Sequence, residues 1–211
     1  MKKAVSKLSL LFLFCFFIGI TQAQNYQLSG RSAIGFNLGL YSGSKTTNTV
    51  SINGMNTDVS SNGFSGNIFF SHWLQENLSL KLSAGLLTGS ANVVINSMST
   101  TQQASAVFPI LLGLNYYILE PTSSDAIRPF IGASIGMYVG SEAKNTTLSQ
   151  QVHSENSIGG RLGLGSDFLV SNHFILGANL GYNLMADFSN PVAGKKNFNG
   201  LDFSFQLDYV F

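Results

Sequence analysis

Residues 201–211, which end the chain, read LDFSFQLDYVF and follow a turn-like Asn197-Phe198-Asn199-Gly200. Successive side chains of a β-strand point to opposite faces, so this alternation predicts one apolar and one polar stripe. The apolar stripe consists of Leu201, Phe203, Phe205, Leu207, Tyr209 and Phe211, and the polar one of Asp202, Ser204, Gln206 and Asp208. A stripe this apolar must contact lipid or a protein core.

The beginning of the chain predicts export. Lys2, Lys3 and Lys7 supply a basic region, residues 8–20 an apolar stretch, and Thr21-Gln22-Ala23 a small-residue cleavage site. The apolar stretch is shorter than the roughly 20 residues of a membrane helix. We therefore predict a cleaved signal peptide over residues 1–23 and one β-barrel domain over residues 24–211. The only cysteine, Cys15, lies in the signal, so the mature domain has no thiol or disulfide.

The composition points to a membrane protein without membrane helices. Charged residues make up 10% of the chain, against about 25% in soluble domains. Without the three lysines of the signal, the chain has 8 basic and 10 acidic side chains, so its formal net charge is negative. Such a composition does not predict a basic surface for binding nucleic acid. No apolar run after residue 23 is long enough for a spanning helix. A closed barrel is the way in which strands satisfy their backbone groups in lipid.

Alternation marks eight candidate strands, each near the ~9 to 11 residues that a tilted membrane strand needs. They cover Arg31 to Tyr41, Gly63 to Trp73, Leu78 to Thr88, Ala104 to Ile118, Arg128 to Val139, Ser157 to Phe168, His173 to Leu184 and Leu201 to Phe211. The sequence thus predicts an all-β, eight-stranded, antiparallel up-and-down transmembrane barrel. Pro109 lies inside the fourth candidate and cannot donate to a ladder, so we expect a bulge or a locally unpaired position there.

Long and short connections alternate along the chain. The long ones are residues 42–62, 89–103, 140–156 and 185–199, and the short ones are residues 74–77, 119–127 and 169–172. Bacterial outer-membrane barrels combine short periplasmic turns with longer extracellular loops. We therefore expect extracellular long loops and two periplasmic termini. The loops are rich in Ser, Thr and Asn and should face water, and Lys195 and Lys196 are candidates to meet lipid phosphates.

The apolar stripes should face outward, because an eight-stranded barrel has room only for ordinary packing inside. The predicted lumen then holds a polar network of Arg31, Lys81, Arg161, Asp167, Asp202, Gln206 and Asp208. Charges in a narrow lumen must be paired or hydrated, and we expect Arg31 and Asp208 to be neighbours where the barrel closes. The network is interpreted as a structural plug, with a gated pore or proton path as the alternative.

The chain resembles the outer-membrane β-barrel domain family of Gram-negative bacteria, the small OmpA/OmpX-like barrels. Residues 69–80, FFSHWLQENLSL, are similar to that family's hairpins, and the terminal Tyr209-Val210-Phe211 is similar to the signal that its assembly machinery reads, with Phe211 as the final aromatic. The resemblance implies an outer-membrane location and contact with outer-membrane lipids, lipopolysaccharide and the barrel-assembly machinery. It implies no single activity. The chain stops at its last predicted strand, so we expect no cell-wall-binding domain.

Candidate chemistry is sparse in this sequence. His153-Ser154-Glu155 is the best constellation for a hydrolase, but neighbours in an extended chain face opposite ways. No metal-ligand spacing or phosphate-binding glycine motif occurs, and we expect no cofactor. We therefore expect a monomeric, non-enzymatic outer-membrane barrel with a structural or surface-interaction role and no assignable loop partner. The alternatives are a narrow porin-like channel and, with less support, a lipid-modifying enzyme.

Overall fold

The computed structural model describes residues 27–43, 62–95, 99–119, 127–146, 149–192 and 195–211. Side chains are described in these ranges except at residues 89–105 and 143–153. The predicted signal peptide and most of the first long connection lie outside the described residues. No helix in the described part of the chain is long and apolar enough to cross a membrane.

The described residues form eight antiparallel strands that close into one barrel in chain order. The bounds are β1 Ser32–Gly43, β2 Asn62–Gln75, β3 Leu78–Ile95, β4 Ser99–Tyr117, β5 Ile127–Thr146, β6 Ser149–Leu169, β7 Phe174–Met185 and β8 Gly200–Val210. The barrel closes where β1 pairs with β8, with Phe36 opposite Leu207 and Leu38 opposite Phe205. The predicted all-β, eight-stranded antiparallel barrel is therefore confirmed. We call the end at which β1 begins and β8 ends the lower end, and the opposite end the upper end.

Two hairpins extend well beyond their predicted ends. The β3–β4 ladder continues to Ile95 opposite Ser99, and the β5–β6 ladder continues to Thr146 opposite Ser149. Most of the connections expected over residues 89–103 and 140–156 are thus strand. Alternation does not mark these extensions, because they carry few apolar residues and the apolar run Val93-Val94-Ile95 of β3 is not interrupted by polar ones, whereas the backbone ladder needs no apolar period.

The two faces of each strand are as predicted. On β8, Phe203 and Phe205 are 43% and 64% exposed, whereas Asp202 and Ser204 between them are 5% and 1% exposed. Outward aliphatic and aromatic side chains continue around the barrel, for example Leu38, Ile68 and Ile158. The lumen therefore holds the polar stripe, and the surrounding belt is apolar.

The ladder between β3 and β4 is interrupted at Pro109. Pairing stops after Ala84 opposite Ile110 and resumes at Leu87 opposite Val107, with the register unchanged across the gap. On its other side Pro109 pairs with Tyr138 of β5. The expectation of a locally unpaired position is confirmed, because proline has no N–H to give to β3. The bulge that was the other possibility is absent from this hairpin, and the register shift of the neighbouring β2–β3 pair lies between Trp73 and Gln75.

Candidate functional site: the barrel lumen

An ion pair lies on the inner wall of the barrel. Arg161 of β6 donates from Nε to Asp202 Oδ2 at 2.9 Å and from Nη2 to Asp202 Oδ1 at 2.6 Å. This two-point geometry is the strong form of an arginine–carboxylate pair. Asn183 of β7 donates to the same Asp202 Oδ2 at 2.8 Å, and its own Oδ1 accepts from the Tyr138 hydroxyl at 3.1 Å. Side chains therefore join the four neighbouring strands β5 to β8 on one side of the lumen.

A second network lies nearer the lower end and is centred on Gln206. Its amide nitrogen donates to Asp167 Oδ1 at 2.9 Å and to Asp208 Oδ2 at 3.2 Å. Its amide oxygen accepts from Asn179 Nδ2 at 2.8 Å. The Tyr117 hydroxyl donates to the other oxygen of Asp167 at 2.7 Å. One neutral amide thus bridges two buried carboxyl groups of β6 and β8.

Lys81 of β3 reaches this network from the opposite wall. Its Nζ lies 3.5 Å from Gln206 Oε1 and 3.5 Å from the centroid of the Phe69 ring. A cation over an aromatic face is attracted by the ring quadrupole. The ammonium group is therefore held between an amide oxygen and an aromatic face within the lumen.

Glycines on the inner wall leave room for these groups. A Cβ placed on Gly181 would lie 2.2 Å from Arg161 Nη2 and 2.3 Å from its Cζ, and a Cβ on Gly177 would lie 2.6 Å from Gln206 Cγ. Real Cβ atoms do not approach other atoms this closely. Gly181 is therefore required for the position of the Arg161 guanidinium.

We expect Gly181→Ala to lower the free energy of unfolding by about 1–3 kcal/mol, the usual cost of overfilling a packed interior. The added methyl group must displace the guanidinium from Asp202. Urea titration in phospholipid vesicles, followed by the fluorescence of Trp73, measures the change. Gly66→Ala is the control, because its Cβ would meet the flexible end of Leu38 at 3.1 Å and the Asn37 carbonyl oxygen at an ordinary contact distance of 3.5 Å. Equal stability of the two variants would contradict the assigned role of Gly181.

The upper end of the lumen is closed by described residues of the connection between β7 and β8. Phe188 and Phe198 are 3% and 1% exposed, and their rings meet edge to face at 6.3 Å. They belong to the upper cluster, which is defined as Tyr41, Leu87, Val107, Leu111, Tyr138, Met185, Phe188, Val192 and Phe198. The Tyr41 hydroxyl donates to the Phe198 carbonyl at 2.6 Å, and Met185 N–H donates to Asn199 Oδ1 at 2.7 Å. We call residues 186–192 and 195–199 the cap.

The cap corrects one expectation. The fourth long connection was expected to face water, but its described part turns into the barrel mouth, where Phe188, Val192 and Phe198 are buried. Lys195 is also buried, at 2% exposure, whereas Lys196 is exposed. Of the two lysines expected at lipid phosphates, Lys195 is therefore not available to them.

The lower end of the lumen is closed by the lower cluster. Its members are Leu28, Ala33, Trp73, Tyr117, Phe130, Leu169, Ile175 and Val210. Glu76 fastens the incoming chain across this end, since its carboxylate accepts from Leu28 N–H at 3.1 Å and from Ser29 N–H at 2.8 Å. Arg128 donates to the Glu76 carbonyl and lies over the Tyr117 ring, 4.3 Å from its centroid. Both ends of the lumen are thus sealed by buried side chains.

A small polar cavity of about 60 Å³ lies between the two clusters. Its lining includes Asn67, Lys81 and Arg161, and the Asn67 Oδ1 and Ser65 Oγ atoms that border it have no protein partner. Since one water needs about 10–15 Å³ of such space, the cavity has room for about four to six waters. It has no room for a larger substrate.

Most of the predicted lumen residues lie together in this interior. Six of the seven make the contacts described above, namely Lys81, Arg161, Asp167, Asp202, Gln206 and Asp208. Arg31 does not join Asp208 as expected, because the register pairs Asp208 with Gly35, four positions further along β1 than Arg31. Arg31 precedes β1 and is half-buried. The alternation in the sequence indicates that Arg31 faces inward, but it does not give the register in which β1 and β8 pair.

Sequence reasoning missed the aromatic and amide members of the site. These members all occupy inward-facing positions, namely Tyr117, Tyr138, Asn179, Asn183 and Arg128. The alternation of inward and outward positions along each strand could have identified them. Phe211, predicted as an assembly signal, is 55% exposed and lies with its ring 6.5 Å from that of Tyr209. It therefore faces outward at the lower end.

The candidate hydrolase triplet lies in β6 and not in a loop. His153, Ser154 and Glu155 pair with consecutive residues of β5, so the backbone is extended there. The adjacent side chains of Ser154 and Glu155 consequently point to opposite faces, and Glu155 Oε1 accepts from Asn190 of the cap at 2.7 Å. Among the described residues, no three His, Cys, Asp or Glu side chains are grouped to hold a metal ion.

Comparison with known proteins agrees with this architecture. Residues 22–189 match the family described as outer membrane protein beta-barrel domain. Sequence comparison with curated proteins gives no significant match. The fold is similar to that of the Neisserial surface protein A, with a TM-score of 0.59, 16% identity and coverage of 87% of this chain and 98% of that chain. For OprG of Pseudomonas aeruginosa the TM-score is 0.58, with 14% identity and coverage of 89% and 99%. For the attachment invasion locus protein Ail of Yersinia pestis it is 0.51, with 12% identity and coverage of 87% and 99%.

Proposed function

The chain belongs to the outer-membrane β-barrel domain family, and from that premise we propose that it is a non-conducting, non-enzymatic barrel with a structural or surface-interaction role. The observation that carries this proposal is the double closure of the lumen. The upper cluster and the lower cluster each fill the bore, and the Arg161–Asp202 pair lies on the inner wall between them. An ion would have to displace buried aromatic side chains at both ends and pass the Arg161–Asp202 pair on the wall between them.

In the membrane we place the lower end, with both termini, in the periplasm and the upper end outside the cell. The short connections at the lower end and the long hairpins at the upper end support this orientation, which is the usual one in bacterial outer-membrane barrels. The apolar belt then contacts outer-membrane lipid, and the upper hairpins lie among lipopolysaccharide. Insertion by the barrel-assembly machinery and a monomeric state belong to the same proposal. A surface-interaction role would use the β3–β4 and β5–β6 hairpins, which extend beyond the belt.

A narrow channel is the second candidate, and the polar cavity favours it. A path through the barrel would need the cavity to open at both ends, through the cap and past Trp73. The same conductance experiment separates the two candidates. A lipid-modifying role has less support, since the candidate triplet lies on extended backbone.

We expect the purified protein in planar phospholipid bilayers to show no steady conductance in about 1 M salt. At this ionic strength the salt screens exposed charges beyond about 3 Å. Brief opening events with low occupancy are compatible with a closed barrel. A steady ohmic conductance that disappears when Arg161 or Lys81 is replaced would contradict the proposal and establish the channel. A protein that inserts as a large open pore serves as the positive control for the bilayer.

A further inference from the structure

The outer wall of the barrel carries a groove at the place where the β3–β4 ladder opens. The groove has a volume of about 540 Å³ and crosses β1 to β4. Its outward-facing lining consists of Phe36, Leu38, Ile68, Ala84, Leu86, Phe108 and Ile110, with Gly66 at its floor. The groove is open on its outer side, so an occupant would contact the barrel wall on one side and the surrounding phase on the other.

Small residues among large ones produce this groove. Gly66 lies between Leu38 and Leu86 in the register, and Ala84 lies between Ile68 and Ile110. These two small outward positions are diagonal neighbours on β2 and β3, so they leave a trough between the larger side chains. The unpaired stretch at Pro109 continues the trough into the wall, because no ladder bonds join β3 to β4 there.

We propose that this groove binds one acyl chain of an outer-membrane lipid as a defined site. The groove is continuous with the apolar belt, which is the lipid-facing surface of the barrel. It lies near the middle depth of that belt, since Phe36 and Leu38 are the central two of the four outward apolar residues Ile34, Phe36, Leu38 and Leu40 of β1. No charged side chain lines it. A lipid headgroup does not fit this position, whereas a hydrocarbon chain does.

The site is tested with a phospholipid that carries a photoreactive diazirine near the middle of one acyl chain. The protein is reconstituted in nanodiscs containing this lipid, irradiated and digested, and the labelled residues are identified by mass spectrometry. We expect labelling of β2 to β4 to exceed labelling of β6 to β8 by about fivefold per exposed residue, which corresponds to a preference of about 1 kcal/mol. Even labelling around the belt would overturn the proposal.

Two variants give an independent readout. Ala84→Phe fills the trough and should abolish the excess on β2 to β4. Ala178→Phe is the matched control, because Ala178 faces outward on the far wall and the register aligns it with Phe205 and hence with Leu38. It should leave the excess unchanged. Pro109→Ala restores an N–H donor opposite β3 and should reduce the excess in part. Loss of the excess in Ala178→Phe, or its persistence in Ala84→Phe, would refute a defined site.

Discussion

Replacing Asp202 by alanine should lower the free energy of unfolding by about 3 kcal/mol. This is the smallest value in the range of about 3–5 kcal/mol that breaking a buried ion pair costs. The reason is the charge that the substitution leaves behind. The Arg161 guanidinium loses both of its hydrogen bonds to Asp202, and Asn183 loses an acceptor. We expect the smallest cost in that range of energies because the Arg161 side chain is still 25% exposed to the lumen. Urea titration in vesicles with Trp73 as the reporter measures the loss.

Two comparisons isolate the ion pair from other effects of the substitution. Asp187→Ala removes an exposed carboxylate of the cap, which accepts from Asn197, and should cost about 1 kcal/mol or less. The double variant Arg161→Met with Asp202→Leu should recover part of the loss, because the uncompensated charge is gone as well. A stability of Asp202→Ala within about 0.5 kcal/mol of the wild type would show that the pair does not hold the lumen together.

Removing the two aromatic side chains of the cap should open the upper end without creating a channel. In Phe188→Ala with Phe198→Ala, each truncation costs about 3–5 kcal/mol of packing, so the upper cluster no longer fills the mouth. A cysteine at Ser65, which borders the polar cavity, then reports access from the upper side. We expect its reaction with a water-soluble maleimide to accelerate at least about tenfold, as for a segment that opens locally.

The lower cluster is the reason that conductance should stay absent in this variant. Trp73, Tyr117 and Phe130 are not touched by the substitutions and still seal the lower end. Steady conductance of the cap variant would show that the upper cluster is the only barrier. An unchanged reaction rate at Ser65→Cys would show that Phe188 and Phe198 do not close the mouth. Leu201→Ala, an outward substitution of similar chemistry on β8, controls for general loss of stability.

The strand pattern and the orientation of its faces could be predicted from the sequence because the barrel is simple. The period of two, the apolar stripes and the alternation of loop lengths together specify eight strands with the polar face inside. On β8 every second residue behaves as the sequence predicts, from Leu201 outward and Asp202 inward to Tyr209 outward and Val210 inward. Pro109 was also informative, because a missing N–H donor predicts a bulge or a locally unpaired position, and the structure has the second.

The features that escaped prediction depend on relations between distant strands. The height at which β8 meets β1 is set by closure of the whole barrel, so Asp208 pairs with Gly35 and not near Arg31. The inward turn of the cap depends on the space that the barrel mouth leaves for Phe188 and Phe198. The Gln206 bridge requires β6, β7 and β8 to present their side chains at one level. No local pattern in the sequence contains that information.

A cysteine scan of β8 in lipid vesicles tests the central claim, that hydrocarbon surrounds the outer stripe and that the lumen is closed. Single cysteines replace Phe203, Ser204 and, as the exposed reference, Asp187. The account predicts that only the reference reacts rapidly with a water-soluble maleimide, and that Phe203→Cys reacts with a lipid-dissolved maleimide. Rapid aqueous labelling of Ser204→Cys would mean an open lumen, and rapid aqueous labelling of Phe203→Cys would mean that water, and not lipid, covers the apolar belt.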